Sequence, residues 1–351
     1  MEGIPWSRRP LAHCGILLAM LLMLLALEFA LEWRARQRGY DTLLLGGAGT
    51  SASSATPFRS PPVTPAKASG VTRLWIAGAS HAQDSYLPIE QLFPTLTCKA
   101  LQQQGRACEV INGSHAGTGI EGNLAVLEQY GATYQPDIIV LYQGSIEIQD
   151  LSKQSFAPAP TGAGIESPGS WHKGALDPIQ QTLEATTLFA HLTQGVRTRL
   201  MAAKQLKDAL PDSALLTFRQ RVLQFIARAR ALGAQPVLTT FAARYDSGDY
   251  DAFADELFYS QLRYNPFLSR RGWLDSIDRL NQEIRAVAQA EHVPLVDLAA
   301  VIAGDASAFR DFSHFTPLGH QRVADTLAQG LQPLWAPVTM PLASTRTGTV
   351  P

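Results

Sequence analysis

Short apolar runs alternate along most of the chain with stretches whose apolar positions recur every three or four residues. The runs Val71–Ala77, Cys108–Ile111, Asp137–Tyr142, Pro236–Phe241 and Pro294–Leu298 read as parallel strands buried on both faces. Between them, Phe218, Val222, Phe225, Ile226 and Ala229 follow helical spacing, as do Leu280, Ile284, Val287 and Ala288. Alternation of this kind predicts an α/β fold: three layers, α/β/α, around a central parallel sheet of about five strands.

Two stretches stand outside the pattern. Residues 11–31 are apolar apart from His13 and Glu28, and as a helix would reach roughly 31 Å, the hydrocarbon thickness of a bilayer. They predict one transmembrane helix after a short tail (1–10), with the bulk of the chain outside the cytoplasm. A cleaved signal peptide, with Arg8 and Arg9 as its basic start, is the alternative. Residues 32–70 read as a flexible tether, because Gly46, Gly47, Gly49, Pro57, Pro61, Pro62 and Pro65 break any regular element. A domain is then expected over 71–335, followed by a tail at 336–351. Within it, 151–212 reads as an insertion, Pro- and Gly-rich at first and helical from 178 to 210. It is either a lid over the strand ends or a long surface loop.

Composition narrows the function. With 29 basic and 30 acidic side chains the net charge is −1, which offers no field for phosphate, so nucleic acid is not an expected partner. Three cysteines rule out a disulfide scaffold or a cysteine-rich zinc module. Cys98 and Cys108 either bridge a helix end to the next strand or are two separate core residues.

In a parallel sheet chemistry collects at the carboxyl ends of the strands. After the first strand comes Gly78-Ala79-Ser80-His81, after the second Asn112-Gly113-Ser114-His115-Ala116-Gly117, and after the third Gly144-Ser145-Ile146-Glu147. Beyond the fifth lies Asp311-Phe312-Ser313-His314, then Thr316-Pro317, a helix cap followed by proline. A serine hydroxyl needs a base, and the base needs a carboxylate to fix its tautomer. Ser80, His314 and Asp311 supply those parts. His81 and His115 are expected on the rim beside Ser80 and Gly117, in reach of substrate. Glu147 reads as structural, His320 and Asp325 as solvated or capping, and Arg219, Arg221, Arg228 and Arg230 as a solvated helix face.

These blocks resemble the SGNH (GDSL-type) hydrolase superfamily over roughly residues 71–332, most specifically in Asp311-Phe-Ser-His314 with Thr316-Pro-Leu-Gly-His320. The resemblance implies a flavodoxin-like fold, Ser80 as nucleophile, His314 as base and Asp311 as orienting acid. It also implies the amides of Ser80 and Gly117 as oxyanion donors, with no cofactor or metal. Where that family carries an oxyanion asparagine this chain has Ile146; Ser145 or Gln143 would have to replace the donor. The expected activity is a membrane-anchored serine esterase on O-acyl, especially O-acetyl, groups of cell-envelope or exported glycans. A non-catalytic polysaccharide-binding module on the same fold is the alternative.

Overall fold

The computed structural model describes residues 9–37, 58–157 and 206–335. Five parallel strands form one sheet: β1 (Thr72–Ala77), β2 (Cys108–Asn112), β3 (Ile138–Leu141), β4 (Gln235–Thr239) and β5 (Leu295–Val296), in the order β2-β1-β3-β4-β5. Each of the five expected apolar runs holds one strand. Leu74, Trp75, Ile76 and Ile139–Leu141 are fully buried, because helices cover both faces of the sheet. One layer packs α3 (Phe93–Gln103) against α10 (Pro317–Leu331); the other contains α4 (Ile120–Tyr134), α5 (Ser145–Phe156), α6 (Asp212–Ala231) and α8 (Arg270–Ala290). The order of strands reverses at β1, which pairs with β2 on one side and β3 on the other. A crevice opens at such a reversal, outside the carboxyl ends of the strands.

Four boundaries differ from expectation. The tether does not run to residue 70: Phe58 is buried and meets Trp75, Tyr130 and Tyr134 edge-on at 5.1, 5.2 and 5.3 Å. The carbonyls of Thr64 and Pro65 take hydrogen bonds from the buried Arg73 guanidinium. The tether's opening residues, 32–37, belong instead to helix α1 (Arg9–Gln37). The insertion begins later than 151, since 151–156 complete α5, whose Leu151 and Ser152 are buried. At its other end, residues 206–210 are not helical, and Lys207 pairs with Leu268 instead. The remainder, 158–205, lies outside the described residues.

The helix expected over 11–31 is present within α1, and Leu17, Leu21, Leu24 and Phe29 on it are exposed. Among the described residues no helix is long and apolar enough to cross a membrane.

Of the two readings of the cysteines, the bridge is the one present: Cys98 of α3 is bonded to Cys108 at the start of β2, with Cα atoms 5.6 Å apart. Closing so short a loop restricts the unfolded chain by about 2.5 kcal/mol. The Cys98→Ala/Cys108→Ala variant should therefore unfold in urea with stability lower by about that amount. An unchanged midpoint and slope would show that the bridge contributes nothing.

Candidate active site

Two loops from opposite ends of the sequence meet at the crevice. The first leaves β1 through Gly78 and enters the four-residue helix α2 (Ser80–Gln83) at Ser80. A Cβ on Gly78 would stand 3.0 Å from Ser114 Oγ and 3.1 Å from the Tyr142 carbonyl, so the turn admits little beyond glycine. The second loop is closed by a bridge between Phe309 and Phe315 and by a 2.9 Å bond from the Arg310 amide to the His314 carbonyl. Asp311 shapes it from within: its Oδ1 accepts the amides of Ser313 at 2.8 Å and His314 at 2.7 Å. Thr316 then caps α10, its hydroxyl accepting the Gly319 amide.

These turns bring Ser80, His314 and Asp311 together. Ser80 Oγ lies 2.9 Å from His314 Nε2, and His314 Nδ1 lies 2.8 Å from Asp311 Oδ2. A carboxylate only accepts, so Nδ1 carries the imidazole proton and Nε2 keeps a lone pair for the Ser80 hydroxyl. Burial alone would raise the Asp311 carboxyl. The His314 charge, the ring N–H and the two loop amides outweigh that and hold it well below the usual range. The partner of His314 is thus held as a carboxylate.

On the oxyanion side, Gly117 takes φ 74°, a conformation that favours glycine, and a Cβ there would meet only open space. The Ser80 and Gly117 amides donate no hydrogen bond among the described residues. The loop carrying Gly117 is pinned at several points. Gln143 Nε2 donates to the Thr118 carbonyl at 2.8 Å, Asn123 Nδ2 to the carbonyls of Gly78 and Gly119, and the Ala116 amide to Gln83 Oε1. Gln143 therefore spends its side-chain N–H on framing the loop. Gly144 is equally constrained, since a Cβ there would meet Phe241 at 2.2 Å.

Several expectations about neighbouring side chains are corrected. His81 is not on the rim: it is buried beneath His314, with the two rings stacked at 4.5 Å. Ser145 does not replace the missing amide donor; its hydroxyl faces His81 Nε2 at 3.3 Å. His115 is half-buried and its Nδ1 donates to the Gly113 carbonyl, which turns the ring back on its own loop. His320 is not solvated. Its Nδ1 accepts the Phe93 amide and its Nε2 donates to Asp84, all within the core. Arg221 is buried too, paired with Glu147 at 2.9 Å, because the face of α6 that bears it packs on α4 and α5. Arg219 and Arg230 pair with Glu283 and Glu291 at the partly exposed surface, and Asp325 is exposed.

The hub that sequence reasoning missed is Asp84. Its fully buried carboxylate accepts from His320 Nε2 at 3.1 Å, from Arg310 at 3.0 Å and from the Tyr86 amide at 3.1 Å. Burial would raise its proton affinity, but these partners hold it low. Arg310 adjoins Asp311, so this cluster fastens the acid–base loop to the nucleophile turn. Arg59 grips the same turn from outside, donating to the carbonyls of Gln83, Asp84 and Leu87. Asp84 sits one helical turn beyond Ser80, which is a usable signal for a shared face; nothing in the sequence links either residue to Arg59 or His320. Among the described residues, no group of three or more His, Cys, Asp or Glu side chains is arranged to hold a metal ion.

No protein-family model matches the chain, and none of the curated proteins does. Among solved structures it is similar to the acetyl xylan esterase AlAXEase, 16% identical over 74% of this chain and 99% of that one, with a TM-score of 0.44. It is also similar to the lipase/acylhydrolase from Enterococcus faecalis, 15% identical over 77% of this chain and 100% of that one, with a TM-score of 0.45. A third is LAE5, an alpha/beta hydrolase enzyme from the metagenome of Lake Arreo, 13% identical over 78% and 100%, with a TM-score of 0.45.

Proposed function

We propose that this chain is a serine ester hydrolase that works outside the cytoplasm, held to a membrane by residues 11–31, on O-acyl, and especially O-acetyl, groups of glycans. The observation that carries the chemistry is the continuous relay from Ser80 Oγ through His314 to Asp311, at 2.9 and 2.8 Å. Ser80 attacks the ester carbonyl as His314 Nε2 takes its proton. The imidazolium, steadied by Asp311, returns that proton to the departing alcohol. Water, or a sugar hydroxyl in a transferase, enters by the reverse of the same step and releases the acyl group. The open amides of Ser80 and Gly117 receive the oxyanion.

An ester suits this site better than an amide. With Ile146 in place of an amide side chain, and with Gln143 and Ser145 engaged elsewhere, the oxyanion has main-chain donors to rely on. One absent side-chain donor typically costs on the order of 100- to 1,000-fold in rate, which an alcohol leaving group tolerates and an amine does not. The Cys98–Cys108 bridge favours an oxidising compartment, and the exposed leucines of α1 favour a lipid neighbour.

A fluorophosphonate probe on the full chain in detergent, followed by peptide mass mapping, tests the reading. The expected result is stoichiometric labelling at Ser80, lost on prior denaturation. No labelling of the folded protein overturns the enzyme and leaves the glycan-binding module.

A further inference from the structure

Directly after the nucleophile, the chain turns a histidine into the core. His81 is 3% exposed, and its ring lies under that of His314 with centroids 4.5 Å apart and planes 14° from parallel. Its Nε2 is 3.0 Å from Ser313 Oγ and 3.3 Å from Ser145 Oγ. The edges of Phe241, at 5.0 Å, and Tyr142, at 6.2 Å, close the remaining sides. Ser313 adjoins His314 in sequence, and Ser145 opens α5 at the end of β3. One imidazole thus touches the base, the loop that carries the base, and the strand end next to β1.

We propose that His81 is a positioning residue: its flat ring sets the plane of the His314 imidazole, and its contacts with Ser313 and Ser145 lock that plane to the end of β3. This rests on the esterase reading for its functional consequence. The ring is suited to the task because it stays neutral. Burial, foremost, and the neighbouring His314 and Arg310 lower its proton affinity well below the ordinary value; Asp311 and Asp84, which pull the other way, are outweighed. A neutral ring can lie face to face with an imidazole that gains a charge in each half-reaction without repelling it, and it offers that charge a π-face. Without such a floor, His314 keeps its edge bonds to Asp311 and Ser80 but loses the flat face that fixes its plane, so the ring can tilt. A tilt of about 1 Å at Nε2 is enough to lose roughly 100-fold in rate.

The test compares His81→Leu, which fills the space without a flat face, with His81→Phe, which restores the face without the nitrogen. Two readouts are taken on the full chain: kcat and KM for p-nitrophenyl acetate, and the nitrogen-15 spectrum of the His314 ring. In the wild type His314 is expected as the single Nδ1–H tautomer. His81→Leu should shift the His314 Nε2 resonance, as the ring tilts and its bond from the Ser80 hydroxyl loosens, and lower kcat roughly 100-fold with KM within twofold; His81→Phe should recover at least about tenfold of that loss. If His81→Leu keeps both kcat and the wild-type His314 spectrum, or if it matches His81→Phe in both, the positioning role is overturned. If kcat falls while the His314 spectrum stays as in the wild type, it is overturned as well. A wild type that turns over no ester removes the esterase reading, while the nitrogen spectra still decide what His81 does to His314.

Discussion

Ser80→Ala is expected to lower kcat for a small aryl ester by on the order of 10⁴- to 10⁶-fold, down to what binding and the oxyanion amides achieve alone. Ser80 Oγ bonds with His314 Nε2, so alanine removes one hydroxyl and leaves the turn's backbone bonds in place. Asp311→Asn tests the same relay from its other end. The asparagine oxygen can still accept the amides of Ser313 and His314, so the loop should keep its shape. Its NH2 group, however, now faces His314 Nδ1 and forces the proton to Nε2, where it blocks acceptance from Ser80. A loss of about 10⁴-fold in kcat with KM little changed is expected. Circular dichroism and the urea midpoint show whether each variant is folded. Ester hydrolysis by folded Ser80→Ala at the wild-type rate would reject the nucleophile.

The parts of this molecule that a sequence can announce are those fixed by local rules. Strands covered on both faces must be apolar throughout, so Leu74–Ala77 and Ile138–Leu141 declare themselves without a partner in view. Asp311 and His314 were legible as a pair because their joint geometry is made within four residues by the aspartate's own bonds to the loop amides. Ser80 was legible because small residues mark a tight strand-to-helix turn. What stayed hidden depends on contacts between distant segments. His81, His320 and Arg221 are polar residues that read as surface, and each is buried because a partner from another element satisfies it: Ser313 and Ser145, Asp84, and Glu147. The docked segment before β1 was masked by its neighbours' composition. Phe58 and Arg59 are the only aromatic and the only arginine between 46 and 70, and both side chains take part in the docking, with Lys67 paired to Asp137. In a Pro- and Ser-rich run, isolated large residues carry more weight than the average.

The largest expected effect on stability lies at Arg221. Its guanidinium is 2.9 Å from Glu147 Oε2 and 3.0 Å from Glu121 Oε1; Glu147 is fully buried, while Glu121 is exposed. Glu147 Oε1 in turn accepts the Ile120 amide, at the start of the helix that follows the Gly117 loop. Burial pushes the Glu147 carboxyl up, and the Ile120 amide and Arg221 work against that rise. Arg221→Met keeps the stem and removes the charge, which strands a carboxylate in the core at a cost of about 3–5 kcal/mol. The pH dependence has a definite sign. Without Arg221 the folded-state affinity of Glu147 for a proton climbs further above its unfolded value, so folding takes up a proton. The variant's deficit is then small near pH 4, where the unfolded glutamate is also protonated, and grows as pH rises through the elevated folded pKa. Urea unfolding at pH 5 and pH 8 reads this directly, and a deficit that shrinks with rising pH would contradict it. Adding Glu147→Gln to Arg221→Met should recover much of the loss and flatten the pH dependence, because the neutral amide can still accept the Ile120 N–H. If the double variant is no more stable than Arg221→Met, the penalty comes from lost packing of the arginine stem and not from the orphaned charge.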